Sequence, residues 1–100
     1  MATPLELSTR RDADGTPVVA AVGEIDMSNA GRFRDALGQA AADGGPLVVD
    51  LTGVEYLDSA GVHALSAFTP GLALIAGPLL APVLAISGLS DVTSVREPPP

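Results

Sequence analysis

The passage from Leu47 to Leu65 constrains this chain most: an apolar run leads, through a polar corner, into residues suited to opening a helix. Leu47, Val48, Val49, Asp50 and Leu51 lie between Gly44, Gly45 and Pro46 on one side and Thr52 and Gly53 on the other. Such a run with such flanks predicts a buried central strand of about 5 residues. Asp58 and Ser59 then stand where a helix begins, and there a short carboxylate or a hydroxyl accepts hydrogen bonds from the free backbone N–H groups of the first turn. The same place suits a second use. Oriented N–H donors and the positive end of the peptide dipoles tolerate an anion, so a phosphoryl group on the Ser59 hydroxyl is electrostatically acceptable. On the residues alone, capping and phosphate acceptance are both open.

The rest of the chain is read around that passage. Leu5, Leu7 and Thr9 alternate with Glu6 and Ser8, the period of a half-exposed strand. Residues 12–17 form a turn cluster and residues 18–22 a second strand, so the two make an antiparallel hairpin at the sheet edge. Gly23, Glu24, Ile25, Asp26 and Met27 lead into a first helix with Ser28 as its N-cap. Its inner face carries Ala30, Phe33, Leu37 and Ala40 or Ala41, and Asp43, Gly44, Gly45 and Pro46 end it. A second helix is expected over residues 59–68, stopped by Thr69, Pro70 and Gly71. A strand over 72–76, a corner at Gly77 and Pro78, a helix over 79–86 and a strand over 92–95 complete the pattern. Pro98 to Pro100 form a tail, leaving residues 1–97 as one domain. Strands alternating with helices predict an α/β fold: a mixed sheet of 4–5 strands with right-handed crossovers.

Composition narrows the function. The net charge is −7, with five arginines and no lysine, so there is no basic face for nucleic acid. One tyrosine, two phenylalanines and no tryptophan give no stacking platform. With no cysteine and a single histidine, His63, the chain offers neither disulfides nor a zinc cluster, and no metal or cofactor is expected. The first residues do not resemble a secretory signal, which makes the cytoplasm the expected compartment. From Ser59 to Ser90 no Asp, Glu, Lys or Arg occurs, and residues 72–89 approach the length of a membrane span. Gly77, Pro78, Pro82 and Gly88 favour a strand, a corner and a short helix instead. In that case some of Leu79, Leu80, Val83 and Leu84 form an exposed apolar patch, a candidate partner surface.

Three chemical readings compete at the strand-to-helix turns. A serine hydrolase would use Ser59 with His63 four residues on, but the G-x-S-x-G elbow is absent and no second set of polar groups offers an oxyanion hole. Glu24, Asp26 and Asp58 gather at one end of the predicted sheet, where they suit a cation, a partner, or simple capping and solvation. No phosphate-binding glycine loop occurs. The chain is therefore expected not to be an enzyme.

Taken together, Gly23-Glu24-Ile25-Asp26 and the later Val48-Val49-Asp50-Leu51 followed by Tyr56-Leu57-Asp58-Ser59-Ala60-Gly61-Val62 resemble the STAS family, the sulfate transporter and anti-sigma-factor antagonist domain. Ser87, Gly88 and Leu89 match the S-G-L that closes the third helix in that family, and the likeness is strongest to the bacterial anti-sigma-factor antagonists. The resemblance implies a mixed sheet wound as a right-handed superhelix and a non-enzymatic role in partner switching. It makes Ser59 the phosphoacceptor of a serine kinase that is also the anti-sigma factor, with a serine phosphatase resetting the cycle. It places the partner interface around Ser59, at Glu24, Asp26, Met27, Ser28, Asp58, Ala60, Gly61 and Val62. It also raises an alternative, a phosphorylation-independent adaptor subunit such as those of lipid-transport ATPases. The chain departs from the pattern in a short second helix, an apolar third helix, and prolines 98–100 where the family continues as a helix. These departures make a homodimer through the apolar C-terminal half a further expectation.

Overall fold

A computed structural model describes residues 3–42, 44–69 and 71–98. Five strands form one sheet in the order β1-β2-β3-β4-β5, with β1 Glu6–Arg11, β2 Pro17–Ile25, β3 Leu47–Leu57, β4 Leu72–Ile75 and β5 Ser94–Arg96. β1 pairs antiparallel with β2 as the expected hairpin, and the remaining pairings are parallel. The intervening helices are α1 Ala30–Ala40, α2 Ser59–Ser66, α3 Ala81–Ile86 and α4 Leu89–Val92.

Each parallel crossover steps one strand further in the same direction. Right-handed connections of that kind place every helix on one side of the sheet. The core records this. Val19, Val49 and Leu74 lie side by side across the register and pack in one cluster with Phe33 and Leu37 of α1, Leu65 of α2, Leu84 of α3 and Leu89 of α4. Val18 and Val48, one residue out of phase, belong to the other side and lie outside that cluster.

Several expected boundaries move. β3 does not stop at Leu51: it bends through Thr52 and Gly53 and pairs with β2 as far as Leu57, while β2 runs on to Ile25. Two register shifts, between Ala20 and Val22 and between Gly23 and Glu24, absorb the extra residues as bulges. The Asp50 carboxylate accepts from the Thr52 N–H at 3.0 Å and its hydroxyl at 2.7 Å, holding the bend that reads in the sequence as a corner. α2 ends at Ser66, two residues before the expected Phe68, whose ring remains partly buried against the core. α3 starts at Ala81 rather than at Leu79, and β5 is displaced to Ser94–Arg96 by α4, a turn the sequence reading lacked. Gly88 makes that turn, with φ of 84°. Only glycine adopts such a conformation without strain, and here it swings Leu89 back into the core. Asp43, Pro70, Pro99 and Pro100, which figured in the expected helix stops and tail, lie outside the described residues.

The uncharged stretch is thereby divided into β4, α3 and α4, and no helix among the described residues is long and apolar enough to cross a membrane. Nor is it chiefly a surface patch. Leu80 and Leu84 are buried because α3 lies along the sheet with those two positions inward, leaving Leu79 and Ile86 exposed. Replacing Leu84 by Ala should therefore destabilise the fold by about 2–5 kcal/mol, read as a lowered Tm. A change within about 0.5 kcal/mol, the usual surface response, would contradict the placement.

Candidate functional site

β2 and β3 end as neighbours, with Ile25 opposite Leu57. The Asp58 N–H donates to the Ile25 carbonyl at 3.2 Å, so the two strand ends are tied just where their chains leave for α1 and α2. Asp58 is the N-cap of α2. Its extended backbone lets one carboxylate oxygen accept from the N–H groups of Ala60 at 2.9 Å and Gly61 at 3.2 Å. This is the capping arrangement a short acidic residue makes, and it releases the next residue from that duty. Ser59 is the first residue of α2 and is exposed.

Gly61 sits on the inner side of the same turn. A Cβ there would lie 2.3 Å from Leu57 Cδ1 and 3.0 Å from Ile25 Cγ2, so the missing side chain lets α2 close down on the ends of β2 and β3. Gly61 is thus a packing residue, whereas Ser59 faces outward and Val62 is half-buried beside it.

Leu57, Asp58, Ser59 and Val62 form one wall of a shallow groove of about 290 Å³, and Val83 and Ile86 of α3, with Ser87 just after it, form the other. Ile86 is 89 % exposed. No arginine lines the groove, and its charged member, Asp58, already caps the helix. A large apolar side chain held at the surface beside a hydroxyl leaves hydrophobic free energy unrealised in water, which burial would return.

Glu24, Asp26, Met27 and Ser28 belong to the neighbouring β2–α1 junction and do not line this groove. Met27 is 84 % exposed. Ser28 is not the cap of α1; that position is held by Asn29, without a side-chain cap bond. Instead the Asp26 carboxylate accepts from the Ser28 hydroxyl at 2.6 Å and the Ser28 N–H at 2.9 Å, while Asn29 reaches back to accept from the Asp26 N–H and to donate to the Glu24 carbonyl. The sequence reading gave Ser28 the role of Asn29 because both residue types cap helices. The Ser28 hydroxyl first, and its N–H second, hold the Asp26 carboxyl below its ordinary value. The Glu24 carboxylate accepts from the Thr3 N–H at 3.1 Å, and the Thr3 hydroxyl donates to Glu55 at 2.8 Å, so Glu24 is committed to fastening the N-terminal segment.

His63 is exposed in the last turn of α2, and no hydrogen bond joins it to Ser59 among the described residues. Among the described residues no group of three or more His, Cys, Asp or Glu side chains comes together in a way that would hold a metal ion. The residues that sequence reasoning missed are those of the second wall, Ile86 and Ser87. Their signal was the absence of charge from Ser59 to Ser90, which marks surface as readily as core.

Two outcomes follow from this geometry. Asp58→Ala should lower stability by about 1 kcal/mol through the lost cap, and an unchanged Tm would contradict the capping role. Ser28→Ala should raise the Asp26 titration, followed by carboxyl NMR, toward the ordinary aspartate range. Because folding lowers that titration, the carboxylate's contribution is complete above the unfolded value and is lost as the pH falls through the folded one. An Asp26 titration indifferent to Ser28 would contradict the assignment.

The family profile described as the Mlab STAS domain matches residues 8–74. The anti-sigma-F factor antagonist RsfB of Mycobacterium tuberculosis (strain ATCC 25618 / H37Rv) is 40 % identical over 60 residues, which are 59 % of this chain and 49 % of RsfB. The chain thus spans about half the length of the curated relatives it matches. The crystal structure of an anti-sigma factor antagonist from Mycobacterium paratuberculosis superposes with a TM-score of 0.82 at 32 % identity, covering 96 % of this chain and 90 % of that one. The antagonist SpoIIAA, at 18 % identity, shares the fold: its unphosphorylated form covers 90 % of this chain and 87 % of its own with a TM-score of 0.72. Its phosphorylated form, from Bacillus, covers 90 % of each chain with a TM-score of 0.65. With the profile matched across two strand-to-helix units and the whole sheet superposed, the chain belongs to the STAS family.

Proposed function

We propose that this chain is an anti-sigma-factor antagonist of the cytoplasm that works by partner switching. Its unphosphorylated form docks an anti-sigma factor in the groove between α2 and α3, and phosphorylation of Ser59 by that partner's serine kinase activity releases it. A serine phosphatase would restore the docking form. The observation that carries the reading is an exposed Ser59 hydroxyl on the rim of an apolar groove. The likeness to RsfB and to the Mycobacterium paratuberculosis antagonist supports the kind of partner.

The switch has a simple electrostatic basis. A phosphoryl group brings a charge of about −1.5 to −2 at neutral pH. From Ser59 to Ser90 this chain has no arginine or lysine to neutralise it, and Asp58 adds a negative charge next to it. The helix N-terminus tolerates the group in the free protein, whereas an apolar partner surface covering it would have to desolvate it. A penalty of a few kcal/mol is enough to exchange partners.

The test is the affinity for the cognate anti-sigma factor. Ser59→Asp should weaken binding at least about 10-fold, or 1.4 kcal/mol, while Ser59→Ala binds as the wild type does and takes no phosphate from the kinase. Equal binding of wild type and Ser59→Asp would remove the switch. A second reading is favoured by the matched profile, which is the Mlab STAS domain. In it the same groove packs permanently on a partner subunit, as an adaptor of a lipid-transport ATPase would. Binding that survives Ser59→Asp but is lost in Ile86→Asp is the result that reading expects.

A further inference from the structure

The sheet ends on two unlike edges. β5 is 3 residues long, too short to template another strand, whereas β1 runs for 6 residues in unbroken register with β2. Native edges are ordinarily blunted by lysine, proline or a bulge, and β1 has none of these. Glu6 and the run from Ser8 to Arg11 are exposed. The hairpin turn fixes which main-chain groups are free. The Asp12 N–H donates to the Thr16 carbonyl at 2.9 Å, and by the antiparallel alternation Arg10 with Val18, Ser8 with Ala20 and Glu6 with Val22 are hydrogen-bonded pairs as well. Pro17, which has no N–H to give, stands at the alternate position opposite Arg11. Leu7, Thr9 and Arg11 therefore turn their N–H and C=O groups away from β2.

We infer that the outer edge of β1 pairs antiparallel with β1 of a second copy, across a two-fold axis at Ser8. Identical strands that keep their side chains on matching sides of the sheet have the axis on a residue, and the charges choose which one. An axis on Thr9 sets Glu6 against Asp12, two like charges, and an axis on Leu7 leaves Arg10 facing Pro4. With the axis on Ser8, Glu6 of each copy faces Arg10 of the other, an attraction made twice. Those two residues stand on the side of the sheet away from the helices, in non-hydrogen-bonded pairs, where side chains approach most closely. On the helix side Leu7 faces Thr9 in hydrogen-bonded pairs, so the free groups of both copies are matched by about four main-chain hydrogen bonds. Leu7 is already packed in part against the core, and the added strand covers it further. The ladder stops there, because the Arg32 guanidinium donates to the Leu5 carbonyl at 3.0 Å. Strand addition draws its affinity from main-chain hydrogen bonds, and one strand edge buries less than a standard interface, so the pairing is transient. The groove beside Ser59 is built by β3, α2 and α3, away from β1, and the pairing stands or falls apart from the function proposed above. It also differs from the contact that the apolar C-terminal half suggested in the sequence, since Leu80 and Leu84 are spent in the core.

The chain has no cysteine, so one introduced thiol reports a transient contact by trapping it. Ser8→Cys sets two thiols across the axis with Cα atoms about 4.5 Å apart, within the disulfide range of about 4.4–6.8 Å. Under mild oxidation of the full chain at about 100 μM, a concentration suited to a transient contact, it should crosslink at least about 10-fold faster than Ile86→Cys, an exposed site in the helix layer. Thr9→Cys should crosslink slowly, because the axis at Ser8 holds its two copies about 8 Å apart. Adding Arg10→Glu to Ser8→Cys should slow the reaction at least about 10-fold, and adding Glu6→Arg as well should restore it by exchanging the two signs. Ser8→Cys reacting no faster than Ile86→Cys overturns the inference, as does a faster reaction at Thr9→Cys or a rate indifferent to Arg10→Glu.

Discussion

The hydrogen bond from the Asp58 N–H to the Ile25 carbonyl is the contact on which the geometry of the groove around Ser59 depends. It joins β2 and β3 at their last residues, where the sheet ladder stops and both chains turn away into helices. Asp58 then serves twice, its backbone closing the sheet and its carboxylate opening α2. Since the cap comes from Asp58, the Ser59 side chain is left at the surface. Since Gly61 has no Cβ, the helix sits low on Leu57 and Ile25, and α3 can approach close enough for Val83 and Ile86 to face Val62 across the groove.

Much of this was legible in the residues. The Leu47–Leu51 run, the turn chemistry before Val18 and the helical spacing of Phe33 and Leu37 fix the hairpin, the central strand and the first crossover, because each rests on a local period or a turn residue. Asp58 and Ser59 announced a helix start for the same reason. What escaped depends on partners distant in sequence. The continuation of β3 through Thr52 and Gly53 is stabilised by pairing with residues 22–25, which local pattern does not carry. The exchange of roles between Ser28 and Asn29 reflects two equally good capping chemistries, decided by the reach of Asn29 back to Asp26 and Glu24. Leu79, Leu80, Val83 and Leu84 are alike in a hydropathy profile. The break at Gly77 and Pro78 and the turn at Gly88 rotate α3 so that Leu80 and Leu84 go inward and Leu79 does not.

The two sides of the sheet divide the labour. The helix side holds the core and, at the exit of β3, a groove in which an uncharged wall meets a serine. The chain's charge is concentrated elsewhere: Asp58 and Asp91 bound a stretch without Asp, Glu, Lys or Arg, and the arginines lie at positions 10, 11, 32, 34 and 96. In the switch proposed for it, such a surface would discriminate by hydrophobic burial while unmodified and by charge once modified. That proposal calls for no conformational change, because a docked apolar side chain and a dianion on Ser59 would compete for the same rim.

The most direct measurement of that claim is an amide shift map of the labelled chain titrated with the anti-sigma factor proposed as its partner. Perturbations centred on Ser59, Val62, Val83 and Ile86, and absent when Ser59 carries phosphate, are what the account predicts. Perturbations centred instead on the β1–β2 hairpin end around Arg11 and Pro17, or an identical map with and without the phosphate, would contradict it.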